Sequence, residues 1–189
     1  MSVKFDFRKI EQSVRRLHRY MENRVPRIVG TEAVNHFKES FDNQAFTDLN
    51  PSAWKPAKRT RPYSPWFGFE AGARTRVPAN HPRRGGKGKY KARKPNPITN
   101  YSPAAIRRKT LSGATGDLRD SIQYRIEGNS VFVFSNLPYA QVHNTGGNIS
   151  VFGRKTTRLP QRQFIGQSIK LTARVKHLVM KDINIVLNT

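Results

Sequence analysis

The sequence has no cysteine among its 189 residues, which removes disulfide staples, thiolate nucleophiles and cysteine-ligated zinc. Acidic residues are scarce as well: 12 Asp and Glu against 35 Lys and Arg leave a net charge of +23. So few carboxylates also leave a catalytic metal site poorly supplied. No uninterrupted apolar run approaches the roughly 18 residues of a membrane span. The opening run 1–7 leads into polar-rich sequence and predicts no signal peptide. Hydrophobic residues make up 36%, lean for a globular chain, so part of it is expected outside the core. The expectation is a soluble, cytoplasmically made, strongly cationic protein of one domain carrying an arm.

The charge is unevenly spread. Residues 1–50 carry 9 basic and 7 acidic side chains, residues 51–110 carry 16 and 1, residues 111–148 carry 2 and 3, and residues 149–189 carry 8 and 1. The second stretch alone supplies +15 and holds nine of the 12 prolines, which argues against a long helix or a central strand there. Residues 57–108 therefore read as a long basic extended arm or insertion. It separates an N-terminal helical part (1–56) from a β-hairpin and C-terminal part (109–189) of the same domain. Arg83, Arg84, Lys87, Lys89, Lys91, Arg93 and Lys94 are the candidate contacts to an acidic partner. Aromatic residues interleaved through the arm, Trp66 and Tyr90 among them, would equally suit nucleic acid, with phosphates on the cations and bases on the rings. Composition leaves both partners open.

Periodicity defines the folded parts. Ile10, Val14, Leu17 and Met21 form one stripe of a helix over 7–24. Pro26 suits the first turn of a second helix, which runs to about residue 43 with Val29, Ala33, Phe37 and Phe41 as its core face. Two β-rich runs, 121–127 and 130–135, flank Gly128-Asn129, a two-residue hairpin turn signal. That turn sets Ile122, Tyr124, Ile126, Val131 and Val133 on one face. Phe132 and Phe134 then lie on the other, where either another element of the chain or a neighbouring subunit must cover them. Residues 149–152 suggest a further strand. Ser168 is a candidate N-cap for a helix bearing Leu171, Val175, Leu178 and Val179. Residues 183–187 read as helix or strand. The fold class is α+β, with an antiparallel hairpin-based sheet flanked by N- and C-terminal helices.

Catalytic constellations are missing from this pattern. The five histidines are scattered with no His-x-x-x-His pair. Asp117 and Asp120 could pair as acid and base, but an Asp opening a turn or helix is the simpler reading. Gly85–Lys89 lacks the spacing, the following Ser or Thr and the preceding strand of a phosphate loop. His143-Asn144 has no second His or acid beside it to make a nuclease. No cofactor or metal is expected.

Three blocks carry a resemblance. Leu111-Ser112-Gly113-Ala114-Thr115-Gly116-Asp117-Leu118-Arg119-Asp120-Ser121-Ile122, Tyr139-Ala140-Gln141-Val142-His143-Asn144-Thr145-Gly146-Gly147 and Leu159-Pro160-Gln161-Arg162-Gln163-Phe164-Ile165-Gly166 occur in that order around the hairpin. Together they resemble the tailed-phage virion morphogenesis proteins, the Mu-like tail-completion and neck proteins. Upstream, the run 37–46 and Trp54-Lys55-Pro56 resemble the same family, so the likeness spans about 1–56 and 110–180 and omits the arm. The residues also make local sense. Gly116 permits a tight approach to the first hairpin strand, with Ser121 at its start. Asn144-Thr145-Gly146-Gly147 can turn with positive φ, so that Tyr139 and His143 share a helical face, and Arg162 presents a planar fork to a backbone carbonyl or to an acid on a neighbour.

The resemblance implies a non-enzymatic structural virion protein, at the head–tail joint, assembling as a homo-oligomeric ring, with a hexamer expected. It implies the tail tube and the portal-side head connector as partners, with the packaged DNA end within reach of the arm and no membrane. Gly116, Leu118, Arg119, Ser121, Phe132, Phe134, Tyr139, His143, Gly146, Gly147, Pro160, Arg162 and Phe164 are then candidates for subunit contact or for bracing the fold. Phe132 or Phe134 is expected within a subunit contact.

Overall fold

The structure is a computed structural model that describes residues 7–64, 66–78, 100–113, 115–151 and 155–188. Helix α1 (Arg8–Asn23) runs almost directly into helix α2 (Val25–Asn43). The break falls where Pro26, in the first turn of α2, has no N–H to continue the α1 ladder. Helix α2 ends on Gln44 in the left-handed conformation, φ 55°, a strained choice for a residue with a side chain. Its amide offsets that strain, donating to the carbonyls of Phe41 and Thr110 and accepting from the Thr110 N–H. Two short strands follow, β1 (Ala45–Phe46) and β2 (Ser52–Ala53), paired antiparallel.

The expected hairpin forms in the expected register: β3 (Ile122–Glu127) pairs β4 (Ser130–Ser135), with Ile126 opposite Val131 and Tyr124 opposite Val133. The Gly128-Asn129 turn joins them, Gly128 at φ 55°. The Tyr124 face packs on α2, where only a glycine fits: a Cβ on Gly30 would run into the Tyr124 ring. A second hairpin, β5 (Gly147–Val151) with β6 (Lys155–Leu159), extends the single strand suggested by sequence. Helix α6 (Ile169–Asn188) includes 183–187, which resolves that choice in favour of helix. Ser168 caps it as expected, its hydroxyl accepting from the Leu171 N–H. Asp48 adds a carboxylate to the same helix start, accepting from Lys170 N and Ser168 Oγ. The architecture is α+β, with three two-stranded sheets instead of one.

The core gathers Ala33, Phe37, Phe41, Phe46, Trp54, Leu118, Ile122, Ala140 and Phe164. Phe41 is its hub, edge-on to Trp54 at 5.3 Å and tilted against Phe164 at 5.2 Å. Helix α1 departs from expectation. Its inward side is made by Tyr20, buried, with Leu17, Ser13 and Arg16 half-buried, while Ile10, Val14 and Met21 stay 61%, 59% and 45% exposed. At about 100° per residue, the helix sits rotated roughly a quarter turn from its own apolar stripe.

His36, fully buried on α2, donates from Nε2 to the Thr47 carbonyl at 2.8 Å, while Nδ1 has no partner. Burial holds its pKa below 6.5, against a smaller opposing pull from that carbonyl. Between the lowered folded value and 6.5 the unfolded chain binds a proton that the folded chain refuses, so stability falls as pH drops through this window. The thermal midpoint is expected to fall between pH 7.5 and 5.5, and His36→Gln, which keeps a donor for Thr47, should flatten that slope. An unchanged slope in the variant would remove His36 as its source.

Residues 57–78 and 100–108 are not an extended arm. Ala57, Val77 and Ala105 are buried, and a 3-10 turn, Lys58–Thr60, leads into turns that meet helix α3 (Pro103–Arg107). Phe69 bridges Tyr101, and Asn100 N donates to the Ala73 carbonyl at 2.8 Å. Arg59 explains the order here. Its guanidinium donates to the carbonyls of Ala105, Arg108 and Lys109 at the end of α3, the end at which a cation is favoured. Arg108 in turn pairs with Glu70 at 2.8 Å. Several of the cations that composition assigns to an arm are therefore internal braces.

Candidate interaction site

The three sequence blocks, distant along the chain, converge. Gly116, at φ 82°, precedes a single helical turn, α4 (Asp117–Asp120), so Asp117 opens a helix as the simpler reading held. Leu118 on that turn is 3% exposed and belongs to the core. Arg119 points the other way and pairs with Asp42 at 3.2 Å. Ser121 fixes the start of β3, donating to the Leu118 carbonyl at 2.8 Å and meeting the Ser135 hydroxyl at 2.7 Å.

The second block forms helix α5 (Ala140–Thr145), with Tyr139 at its start. Tyr139 and His143 share a face as expected, ring edge to ring face at 6.0 Å. Gly146 (φ 73°) and Gly147 (φ 145°) turn the chain into β5. The turn is also sterically closed, because a Cβ on Gly146 would meet Gln161 N at 2.9 Å.

Asn144, expected only as part of the turn, is the clamp between the second and third blocks. Its side-chain oxygen accepts from Phe164 N and Ile165 N at 2.8 and 2.9 Å, and its amide donates to the Ile165 carbonyl at 3.0 Å. The signal is an Asn two residues before the Gly146-Gly147 turn, a residue type that satisfies loop backbone. In the third block Phe164 is 1% exposed in the core and Pro160 is half-buried. Arg162 is 7% exposed, with Nε donating to the Lys55 carbonyl at 2.9 Å. Trp54 ties the same strip down by donating to the Gln163 carbonyl at 2.7 Å.

Leu118, Tyr139, His143 and Arg162 thus line one cavity of about 270 Å³, closed by Arg59 and Thr110. Burial, with the Arg162 charge adding to it, lowers the His143 pKa, and its Nδ1 is buried without a partner. Burial also lowers the Arg162 pKa, followed by repulsion from Arg61 and Arg59. No group of three or more His, Asp or Glu placed to hold a metal occurs among the described residues. The hydrogen bonds from Asn144 and Trp54 to the third block, not the cavity, tie the blocks to one another.

Phe132 and Phe134 stand apart from this cavity on the outer face of the β3–β4 hairpin. Phe132 is 45% exposed and Phe134 half-buried, with the Arg125 guanidinium 5.4 and 5.3 Å from their ring centres and held by Glu127 at 2.7 Å. Arg83, Arg84, Lys87, Lys89, Lys91, Arg93 and Lys94 lie outside the described residues. No helix among the described residues is long and apolar enough to cross a membrane.

A model of the phage virion morphogenesis family matches residues 70–184. The match takes in 70–108, which the resemblance had omitted, and leaves out 1–69, which the resemblance had partly included. No curated protein and no solved structure matches the chain.

Proposed function

This chain belongs to the phage virion morphogenesis family, and from that premise we propose that it is a structural protein of the head–tail joint that closes into a homo-oligomeric ring. The observation that carries the self-assembly is the open stripe of α1. Ile10, Val14 and Met21 are patterned as a core face yet remain exposed, and a second copy is the occupant that would bury them. The outer face of the β3–β4 hairpin offers a second apolar surface at Phe132. Two unlike patches suit a head-to-tail contact, the kind that generates a ring when its rotation closes. Such a ring, a hexamer by resemblance, caps the tail tube and seats it on the head connector. The cations of 83–94 then latch an acidic neighbour or touch the packaged DNA end. The alternative, a nucleic-acid-binding protein gripping phosphates through those same cations, rests on the charge and the interleaved aromatic residues of the arm.

The test is a phage lacking this protein. The expected result is filled heads and finished tails accumulating unjoined, with restoration when the purified protein is added. Normal joined particles in its absence would overturn the assignment. A joined particle made only in its presence, but with the protein located elsewhere by electron microscopy, would overturn the ring's position.

A further inference from the structure

A second cavity, of about 870 Å³, lies on the other side of Arg162. Among the described residues five cations and no carboxylate line it; Lys58, Arg61, Arg158 and Arg162 are among the cations, while Trp66 and Phe69 supply aromatic wall. Trp66 meets Phe69 edge-on at 5.1 Å and is 45% exposed. Arg162 is the unusual member. It is 7% exposed, it donates from Nε to a single backbone carbonyl, it lines the cleft, and no carboxylate among the described residues pairs with it. A guanidinium so largely shielded from water is ordinarily paired with a carboxylate. Here the nearest charges, Arg61 and Arg59, have the same sign and depress its pKa.

We propose that this cleft receives an extended segment of another protein in which an Asp or Glu is flanked by large apolar side chains. The carboxylate seats between Arg162 and Arg61, where a planar fork can take both oxygens. The flanking side chains lie on Trp66 and Phe69. The acid comes from a partner, since no carboxylate among the described residues lines the cleft. A protein segment fits better than nucleic acid. The wall is mostly apolar by area, which suits the large side chains flanking a carboxylate better than a phosphate backbone, whose contacts are polar. The proposal is independent of ring closure and concerns a partner bound by the ring or by the single subunit alike.

The test uses the full chain against an immobilised array of short peptides placing Asp or Glu between Phe, Trp, Leu or Ile, each with its Asn or Gln counterpart. Acidic members are expected to bind at least about tenfold more tightly than their amide counterparts. Arg61→Glu, which alters a half-buried side chain bonded only to the Pro56 carbonyl, should weaken the best binder by a similar factor while the thermal midpoint holds. Trp66→Ala should weaken it as well, without restoring the amide peptide. No preference for the acidic members, or an unchanged affinity in folded Arg61→Glu, would overturn the proposal. So would displacement of the best peptide by single-stranded oligothymidylate that binds more tightly, which would reassign the cleft to nucleic acid.

Discussion

Val14→Asp is expected to convert the assembled protein into monomers that keep their fold. The position is 59% exposed on α1, so an isolated subunit meets the new carboxylate with water, and its stability should move by no more than about 0.5 kcal/mol. In an assembly that covers the stripe, the change removes about 1.5–3 kcal/mol of apolar burial. It also buries a charge with no partner provided for it, and the penalty recurs at each contact of a closed ring. Light scattering of wild type and variant, beside their thermal midpoints, reads both effects. Phe132→Asp should act in the same way from the other apolar face. An unchanged mass in both variants would leave α1 and the hairpin outside any subunit contact, and a monomeric wild type would remove the ring altogether.

Phe164→Ala is expected to act in the opposite sense, on the fold and not on assembly. The ring is 1% exposed and packed at 5.2 Å on Phe41, which in turn holds Trp54. Truncating a buried Phe costs about 3–5 kcal/mol. At roughly 2–4 °C per kcal/mol for a chain of this size, the thermal midpoint should fall by about 6–20 °C. The backbone on either side is fastened by Asn144 and Trp54, so the site cannot collapse to fill the space, which favours the upper end. Phe132→Ala, removing the same side chain from a surface 45% exposed, should cost the monomer far less. If the two variants melted together, the assignment of Phe164 to the core and Phe132 to the surface would fail.

That contrast marks how far the sequence could be read. Phe132 and Phe164 both stand among patterned residues, and nothing local distinguishes a Phe that faces Phe41 from one that faces outward. The β3–β4 register was legible because a two-residue turn fixes which side chains share a face. The α6 cap was legible because a Ser before a periodic run has one local use. The role of Asn144 was not, since its partners are backbone groups twenty and more residues away. Arg59 was misplaced for the same reason: its three carbonyl partners are 46 to 50 residues on, and composition counted it only as charge.

By itself the sequence determined the α+β class, the two leading helices, the hairpin with its two faces and the three blocks that identify the family. These follow from interactions a few residues long, in which turn geometry, capping and periodicity leave few alternatives. Only the tertiary structure decided the rest. It rotated α1 away from its stripe, spent several of the cations in 57–108 on internal carbonyls, and brought the three blocks around one cavity. Those outcomes depend on which surfaces compete for the same neighbours, and that competition is settled only when all the elements pack at once.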